Sequence, residues 1–113
     1  MDVLPDDPNR IPEYRSLLWA YIPVLLRRLG SEATVKDVVR LIFEHDEKTP
    51  ASECIAVLIE FFHAGEDDLD FVLPVIEDAW NYFPHRSLGG RCPVEVMADL
   101  AQPRKTRRKT IKF

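Results

Sequence analysis

The chain lacks the features that mark membrane-spanning and secreted proteins. It has no apolar run close to the roughly 20 residues that a transmembrane helix needs. Residues 1–9 carry acidic side chains and prolines where a secretory signal requires positive charge and an apolar stretch. Two cysteines are too few for a disulfide scaffold or a cysteine metal cage. We therefore expect a cytoplasmic, reduced domain that makes no use of a membrane.

The chain also lacks the short motifs of common enzyme classes. It has no phosphate-cradling glycine loop, no Gly-x-Ser-x-Gly elbow and no His-Glu-x-x-His pair. His45 lies near the predicted turn between the second and third helices, whereas His63 lies at the far end of the third, so the two are too distant to share a metal ion. The sequence thus predicts no metal site, no cofactor and no small-molecule substrate.

Cys92 is the residue that most suggests catalysis. It lies at the start of a predicted helix beside Arg91 and close to His85, a setting that lowers the pKa of a thiol. A cysteine paired with a histidine is the beginning of a nucleophilic site. The alternative is a small buried hydrophobic residue, which is how we interpret Cys54. Because no third residue that would orient the histidine is evident, we predict no catalytic residue and no enzyme activity.

Positive charge is concentrated at the C-terminus. Residues 103–113 contain six of the fifteen basic side chains and none of the nineteen acidic ones, so they carry +6; the other residues, nine basic and nineteen acidic, carry −10. Such a run predicts a disordered, solvated tail, and it is also a handle for nucleic acid. A third alternative is that the tail binds the acidic body. The candidate anion contacts are Arg104, Lys105, Arg107, Arg108, Lys109 and Lys112.

Apolar residues recur at three- and four-residue steps along most of the chain, which predicts helices. Starting and ending residues divide this pattern into five segments, at about residues 11–29, 34–47, 50–64, 68–83 and 93–101. Pro23 removes a backbone hydrogen bond, so we expect the first helix to kink or break near Tyr21. Thr34 predicts a cap for the second helix. Thr49 is expected to cap the third, with Pro50 as its first residue.

No segment alternates between apolar and polar residues as a strand does, and the predicted connections are short. We therefore predict an all-α fold, a compact bundle of about five helices in one domain over residues 11–102. A flexible N-terminal arm, residues 1–10, precedes this domain, and the basic disordered tail, residues 103–113, follows it.

The stretch between the fourth and fifth helices is the most distinctive in the chain. Pro84 stops one helix, Gly89 and Gly90 permit positive φ angles, and a new helix starts after Cys92. The residues expected to define this turn are Trp80, Pro84, Leu88, Gly89, Gly90 and Pro93. The polar residues expected to contact a partner are His85, Arg86 and Arg91.

Residues 76–98 resemble a segment found in two settings. The run Tyr82, Pro84-His85, Ser87-Leu88-Gly89-Gly90 and Pro93-Val94-Glu95 is similar to the end of the integrase core in insertion-sequence transposases, which implies an α/β catalytic domain. With Trp80-Asn81 it also resembles an element of poorly characterised microbial proteins that precedes a cysteine-rich metal motif of the SEC-C type. This chain has neither predicted strands nor a later cysteine cluster, so only the turn carries over, and no whole-chain family is assigned.

The first predicted helix is apolar nearly all round over residues 17–26, more than a small bundle covers by itself. We therefore expect residues 11–29 to bind a second copy of the chain, as in a homodimer, or another protein. The favoured function is a non-enzymatic helical interaction or assembly module. The alternative is a nucleic-acid-associated accessory protein that binds through its basic tail. The acidic body and the absence of a base-reading motif favour the first.

Overall fold

The computed structural model describes residues 7–45 and 48–101, and these residues form an all-helical fold. The five α-helices are α1 (Ile11–Arg28), α2 (Val35–Glu44), α3 (Ala51–Phe61), α4 (Leu69–Tyr82) and α5 (Pro93–Ala101). Short 3-10 turns precede α1, α4 and α5, at Pro8–Arg10, Glu66–Asp68 and Arg86–Leu88. The prediction of an all-α bundle of about five helices is therefore confirmed. The predicted basic tail, residues 103–113, lies outside the described residues.

The predicted N-terminal arm is described only from residue 7 onward, and there it belongs to the fold. The Asp7 side chain accepts a hydrogen bond from the amide of Asn9 (3.0 Å) and so caps the first 3-10 turn. The Asp7 amide donates to the hydroxyl of Tyr82 at the end of α4 (3.1 Å). The helical unit therefore begins before Ile11, the residue at which we predicted it to start.

The first helix runs through Pro23 without the break that was one of the two predicted outcomes. Proline inside a helix costs about 3 kcal/mol. The residues around it are deeply buried, however, with Leu18 and Ile22 at 0% exposure and Leu25 at 1%. Burial of each such side chain stabilises the fold by about 1.5–3 kcal/mol, which exceeds the cost of the proline. No helix among the described residues, α1 included, has the length and apolar character that crossing a membrane requires.

The ends of the first three helices follow local chemistry. Gly30 has a φ of 74° after α1, and the amide of Ser31 donates to the carbonyl of Leu26 (2.9 Å), which is a Schellman ending. Thr34 caps α2 as predicted, in a reciprocal capping box with Asp37. The third helix begins one residue later than predicted, because Pro50 is extended (ψ 144°) and serves as its N-cap without a side-chain bond.

Helix α4 is the centre of the bundle and contacts α1, α3 and α5. Its residues Val72, Val75, Ile76 and Ala79 are fully buried. Tyr82 is fully buried as well, and the edge of its ring packs on Tyr14 of α1, with centroids 5.2 Å apart at 83°. This edge-to-face geometry stabilises an aromatic pair. The end of α4 is thereby fixed against α1, and the following turn starts from a rigid position.

We predict that Thr34→Ala lowers the free energy of unfolding by about 1 kcal/mol, because the amide of Asp37 loses its capping oxygen (3.2 Å). Asp37→Ala removes the other half of the box, so the double variant should lose less than the sum of the single losses. Urea denaturation measures all three variants. Ser16→Ala, at an exposed position within α1, is the control and should change stability by less than about 0.5 kcal/mol.

Candidate functional site

The turn between α4 and α5 folds back on itself. Phe83 leaves the helix in an extended conformation (ψ 151°). His85 and Arg91 then form an antiparallel bridge, in which the amide of His85 donates to the carbonyl of Arg91 (2.9 Å). Between them, Gly89 (φ 71°) and Gly90 (φ 86°) both adopt left-handed conformations. Four of the predicted turn residues lie in this loop, namely Pro84, Leu88, Gly89 and Gly90, whereas Trp80 belongs to α4 and Pro93 is the first residue of α5.

His85 lies at the centre of this loop and is 1% exposed. Its Nε2 is 2.7 Å from the carbonyl oxygen of Trp80. That carbonyl is among the last four of α4, which have no partner inside the helix. Because a carbonyl only accepts hydrogen bonds, Nε2 carries the proton and donates, and neutral His85 presents Nδ1 as an acceptor. The imidazole therefore closes the carboxyl end of α4 and keeps one defined tautomer.

His45 occupies the other side of the His85 ring. It follows α2, and its Nε2 lies 2.9 Å from Nδ1 of His85, so Nε2 of His45 is the donor of this bond. The hydroxyl of Ser87 is 3.4 Å from the same nitrogen of His45. Trp80 packs on both histidines, with ring centroids 4.9 Å from His45 and 4.6 Å from His85. We call His45, Trp80, His85 and Ser87 the histidine cluster.

Sequence reasoning missed the histidine cluster. In the sequence, the histidine considered as a possible metal-binding partner of His45 is His63. That residue lies after α3, is exposed and has a φ of 56°. His45 and His85 are 40 residues apart, and their contact depends on how the end of α2 meets the turn after α4. No spacing rule for a single helix relates such positions. Only the packing of the whole bundle brings them together.

The three polar residues predicted to contact a partner hold the loop internally. His85 is buried and is therefore not available on the surface. Arg86 is exposed, but its guanidinium donates to the carbonyl of Glu44 at the end of α2 (3.2 Å). Arg91 is half-buried; it donates to the carbonyl of Glu95 (3.2 Å) and pairs with Asp99. His85 and Arg86 thus bond to carbonyls at the ends of α4 and α2, and Arg91 bonds to residues within α5.

Arg15 was not singled out by sequence reasoning, yet it joins three elements. From α1 its Nε donates to the carbonyl of Tyr82 (2.5 Å), another of the terminal carbonyls of α4. Its guanidinium also lies 3.5 Å from the carboxylate of Glu95 on α5. Glu95 in turn accepts a bond from the amide of Cys92 (3.0 Å) at the start of that helix. An arginine on a helix gives no sequence signal for this role.

The thiol of Cys92 is not activated, which corrects the expectation of a lowered pKa. Cys92 is fully buried, and burial raises the pKa of its thiol, against the smaller lowering effect of its backbone bond with Glu95. Burial likewise raises the pKa of Cys54. A protonated thiol is a poor nucleophile. Both cysteines therefore act as small core residues.

The histidine cluster is also short of metal ligands. Within residues 7–45 and 48–101, no three or more histidine, cysteine, aspartate or glutamate side chains are grouped so that they could hold a metal ion. A closed site needs three or four such ligands. The arrangement instead has the form of an internal hydrogen-bonded pair.

Three of the seven large apolar side chains that are exposed among the described residues lie on α1, while Met97 (63%) and Leu100 (61%) on α5 are the most exposed. Leu17 is 47% exposed, Trp19 45% and Val24 41%. Trp19 lies on one flank, beside a shallow hollow that Val39 and Phe83 help to line. Leu17 and Val24 are seven residues apart and therefore lie on the same side of the helix, two turns from each other. The apolar excess predicted for residues 11–29 thus lies partly at the surface.

The free energy of unfolding should fall as the pH drops from about 7 to about 5. Burial lowers the pKa of His85, and the charge of His45 adds to this, while the bond to Trp80 opposes it. The unfolded chain therefore binds this proton more tightly than the folded chain. The stability that neutral His85 contributes is present above the unfolded pKa of about 6.5 and is lost as the pH falls through the lowered folded pKa.

His85→Phe should flatten this pH profile and lower the stability at pH 7 by about 1–3 kcal/mol, because the Trp80 carbonyl loses its donor. Urea denaturation at several pH values between about 5 and 7.5 measures both effects. His63→Asn is the control, since His63 is exposed and asparagine tolerates its positive φ. An unchanged slope in His85→Phe would show that another group controls the pH dependence.

We predict that neither thiol reacts at a measurable rate with a water-soluble disulfide reagent in the folded protein. Both cysteines are at most 5% exposed, and burial raises the pKa of both. In denaturant both should react at once. Thiol titration by absorbance, with and without urea, measures this. One equivalent reacting rapidly in buffer would contradict the assignment of Cys92 to the core.

No protein-family model matches the chain, and no curated protein or solved structure is significantly similar to it. The resemblance of residues 76–98 to the integrase-core and SEC-C-type segments therefore stays a prediction. In this fold those residues form the end of α4, the turn after it and the first part of α5, and they supply every member of the histidine cluster except His45.

Proposed function

We propose that this protein is a non-enzymatic helical assembly module that associates with itself through the exposed side of α1. The observation that supports this most is the exposure of Leu17 (47%) and Val24 (41%) on a helix that buries Leu18, Ile22 and Leu25 on its other side. Isolated exposed apolar residues are common and need no explanation. Leu17 and Val24, however, lie on the same side of one helix and mark the two ends of an apolar strip.

Small and aromatic residues extend this strip. Ala20 is exposed and lies between Leu17 and Val24, and Tyr21 is half-buried beside them. Residues three and four apart are neighbours on a helix surface, so these four positions lie next to one another along one side of α1. We call Leu17, Ala20, Tyr21 and Val24 the α1 strip. Another α-helix with a matching apolar face would cover it.

The state of Cys92 and His85, the candidate catalytic pair among the described residues, supports a non-enzymatic function. The buried thiol of Cys92 is a poor nucleophile, and the ring nitrogens of His85 are engaged with Trp80 and His45. Cytoplasmic localisation and nucleic-acid binding stay predictions; the tail residues that would contact nucleic acid lie outside the described part of the chain.

Val24→Glu should weaken self-association at least tenfold, because it places a charge within a contact that excludes water. Analytical ultracentrifugation over a wide concentration range measures the monomer–oligomer equilibrium. Leu17→Glu should act in the same direction. Circular dichroism should show an unchanged helix content in both variants, since neither side chain is in the core.

Val57→Glu is a matched control. It makes the same substitution on α3, at a valine of similar exposure (38% against 41% for Val24), and should leave the association equilibrium unchanged. Equal effects of Val24→Glu and Val57→Glu would exclude α1 as the contact. A wild-type protein that stays monomeric up to millimolar concentration would overturn the proposed function.

A further inference from the structure

We infer that two copies of the chain pair α1 against α1 in antiparallel orientation, with the two-fold axis between Ala20 and Tyr21. This inference rests on the proposed function and specifies its geometry. In this arrangement Leu17 of one copy faces Val24 of the other. Glu13 of each copy then lies near the Arg27 and Arg28 side chains of its partner.

The apolar part of the α1 strip is suited to such a two-fold contact. A two-fold interface uses the same patch on both subunits, so the patch must match itself when reversed. Leu17 lies three residues before Ala20, and Val24 lies four residues after it. Reversal about a point between Ala20 and Tyr21 therefore places Leu17 of one copy opposite Val24 of the other. In this register Ala20 of one copy faces Tyr21 of the other, and the small side chain of Ala20 leaves room for the tyrosine ring.

Charge at the two ends of the α1 strip selects the antiparallel orientation. At the carboxyl end, Arg27 and Arg28 are exposed, and neither makes an ion pair with a described residue. At the amino end, Glu13 pairs with Arg10, and both side chains are about half exposed, at 52% and 49%. A parallel pair would bring four arginines of two copies together. An antiparallel pair brings the arginines to the carboxylate of the partner.

The existing bond between Arg10 and Glu13 leaves room for this contact. Each carboxylate oxygen has two acceptor sites, so Glu13 can accept from Arg10 and from a partner's arginine at once. Antiparallel helices also place the positive end of each macrodipole beside the negative end of the other. The strip is a small interface by the standard of stable complexes, so we expect a reversible monomer–dimer equilibrium.

Charge reversal distinguishes the two orientations. Arg28→Glu should weaken the dimer roughly threefold to tenfold, because a glutamate then faces Glu13 of the partner at two symmetric positions. In a parallel dimer the same change would relieve repulsion between arginines and tighten the association. Adding Glu13→Arg to Arg28→Glu should restore the wild-type equilibrium. Sedimentation equilibrium of each variant gives the dissociation constants.

Two controls complete the experiment. Lys36→Glu, on the exposed side of α2, changes the net charge by the same amount as Arg28→Glu and should have no effect beyond that of net charge. High salt should reduce the differences between the charge variants, since exposed ion pairs are screened. Restoration in the double variant, together with loss in Val24→Glu, supports the inference.

The alternative outcomes separate the inference from the function on which it rests. Association that is sensitive to Val24→Glu but tightened or unaffected by Arg28→Glu overturns the antiparallel pairing and leaves the assembly function intact. A protein that is monomeric at all concentrations overturns both. Weakening by Arg28→Glu without restoration in the double variant also overturns the pairing of Glu13 with the partner's arginines.

Discussion

The fold depends on how the carboxyl end of α4 is held. Tyr82 is fully buried there, and its ring packs on Tyr14. Its hydroxyl accepts a hydrogen bond from the amide of Asp7. Its carbonyl accepts a hydrogen bond from the side chain of Arg15, which also forms an ion pair with Glu95 on α5. One residue thus joins the start of the described chain, the first helix and the last. Tyr82 therefore fixes the position at which the loop after α4 begins.

The histidine cluster extends the same principle one turn further. Helices end with carbonyls that lack partners, and buried ones must find donors from elsewhere. The side chain of His85 donates a hydrogen bond to a terminal carbonyl of α4, and that of Arg86 donates one to a terminal carbonyl of α2. One short loop therefore caps the carboxyl ends of two helices. His45 then binds the free nitrogen of His85. Side chains that resemble a catalytic or partner-binding group in the sequence serve as caps in the structure.

The sequence was a good guide where local chemistry decides the structure. The five helices, the box around Thr34 and the ending at Gly30 all follow from side chains within a few residues of each other. It failed where tertiary packing decides. The cost of Pro23 is local, but the burial that outweighs it comes from the whole bundle. The pairing of His45 with His85 and the raised pKa of Cys92 likewise depend on elements distant in the chain.

The two glycines of the loop illustrate a limit on what a shared sequence string means. Gly89 and Gly90 both have positive φ angles, yet a Cβ atom at either position would meet nothing within 4 Å. Space does not require glycine here; backbone handedness does, because other residues avoid this conformation. Any chain that connects two helices through two consecutive residues with positive φ angles favours glycine at both positions. A Leu-Gly-Gly string in an unrelated domain can therefore report a common path of the backbone without a common ancestor or a common chemistry.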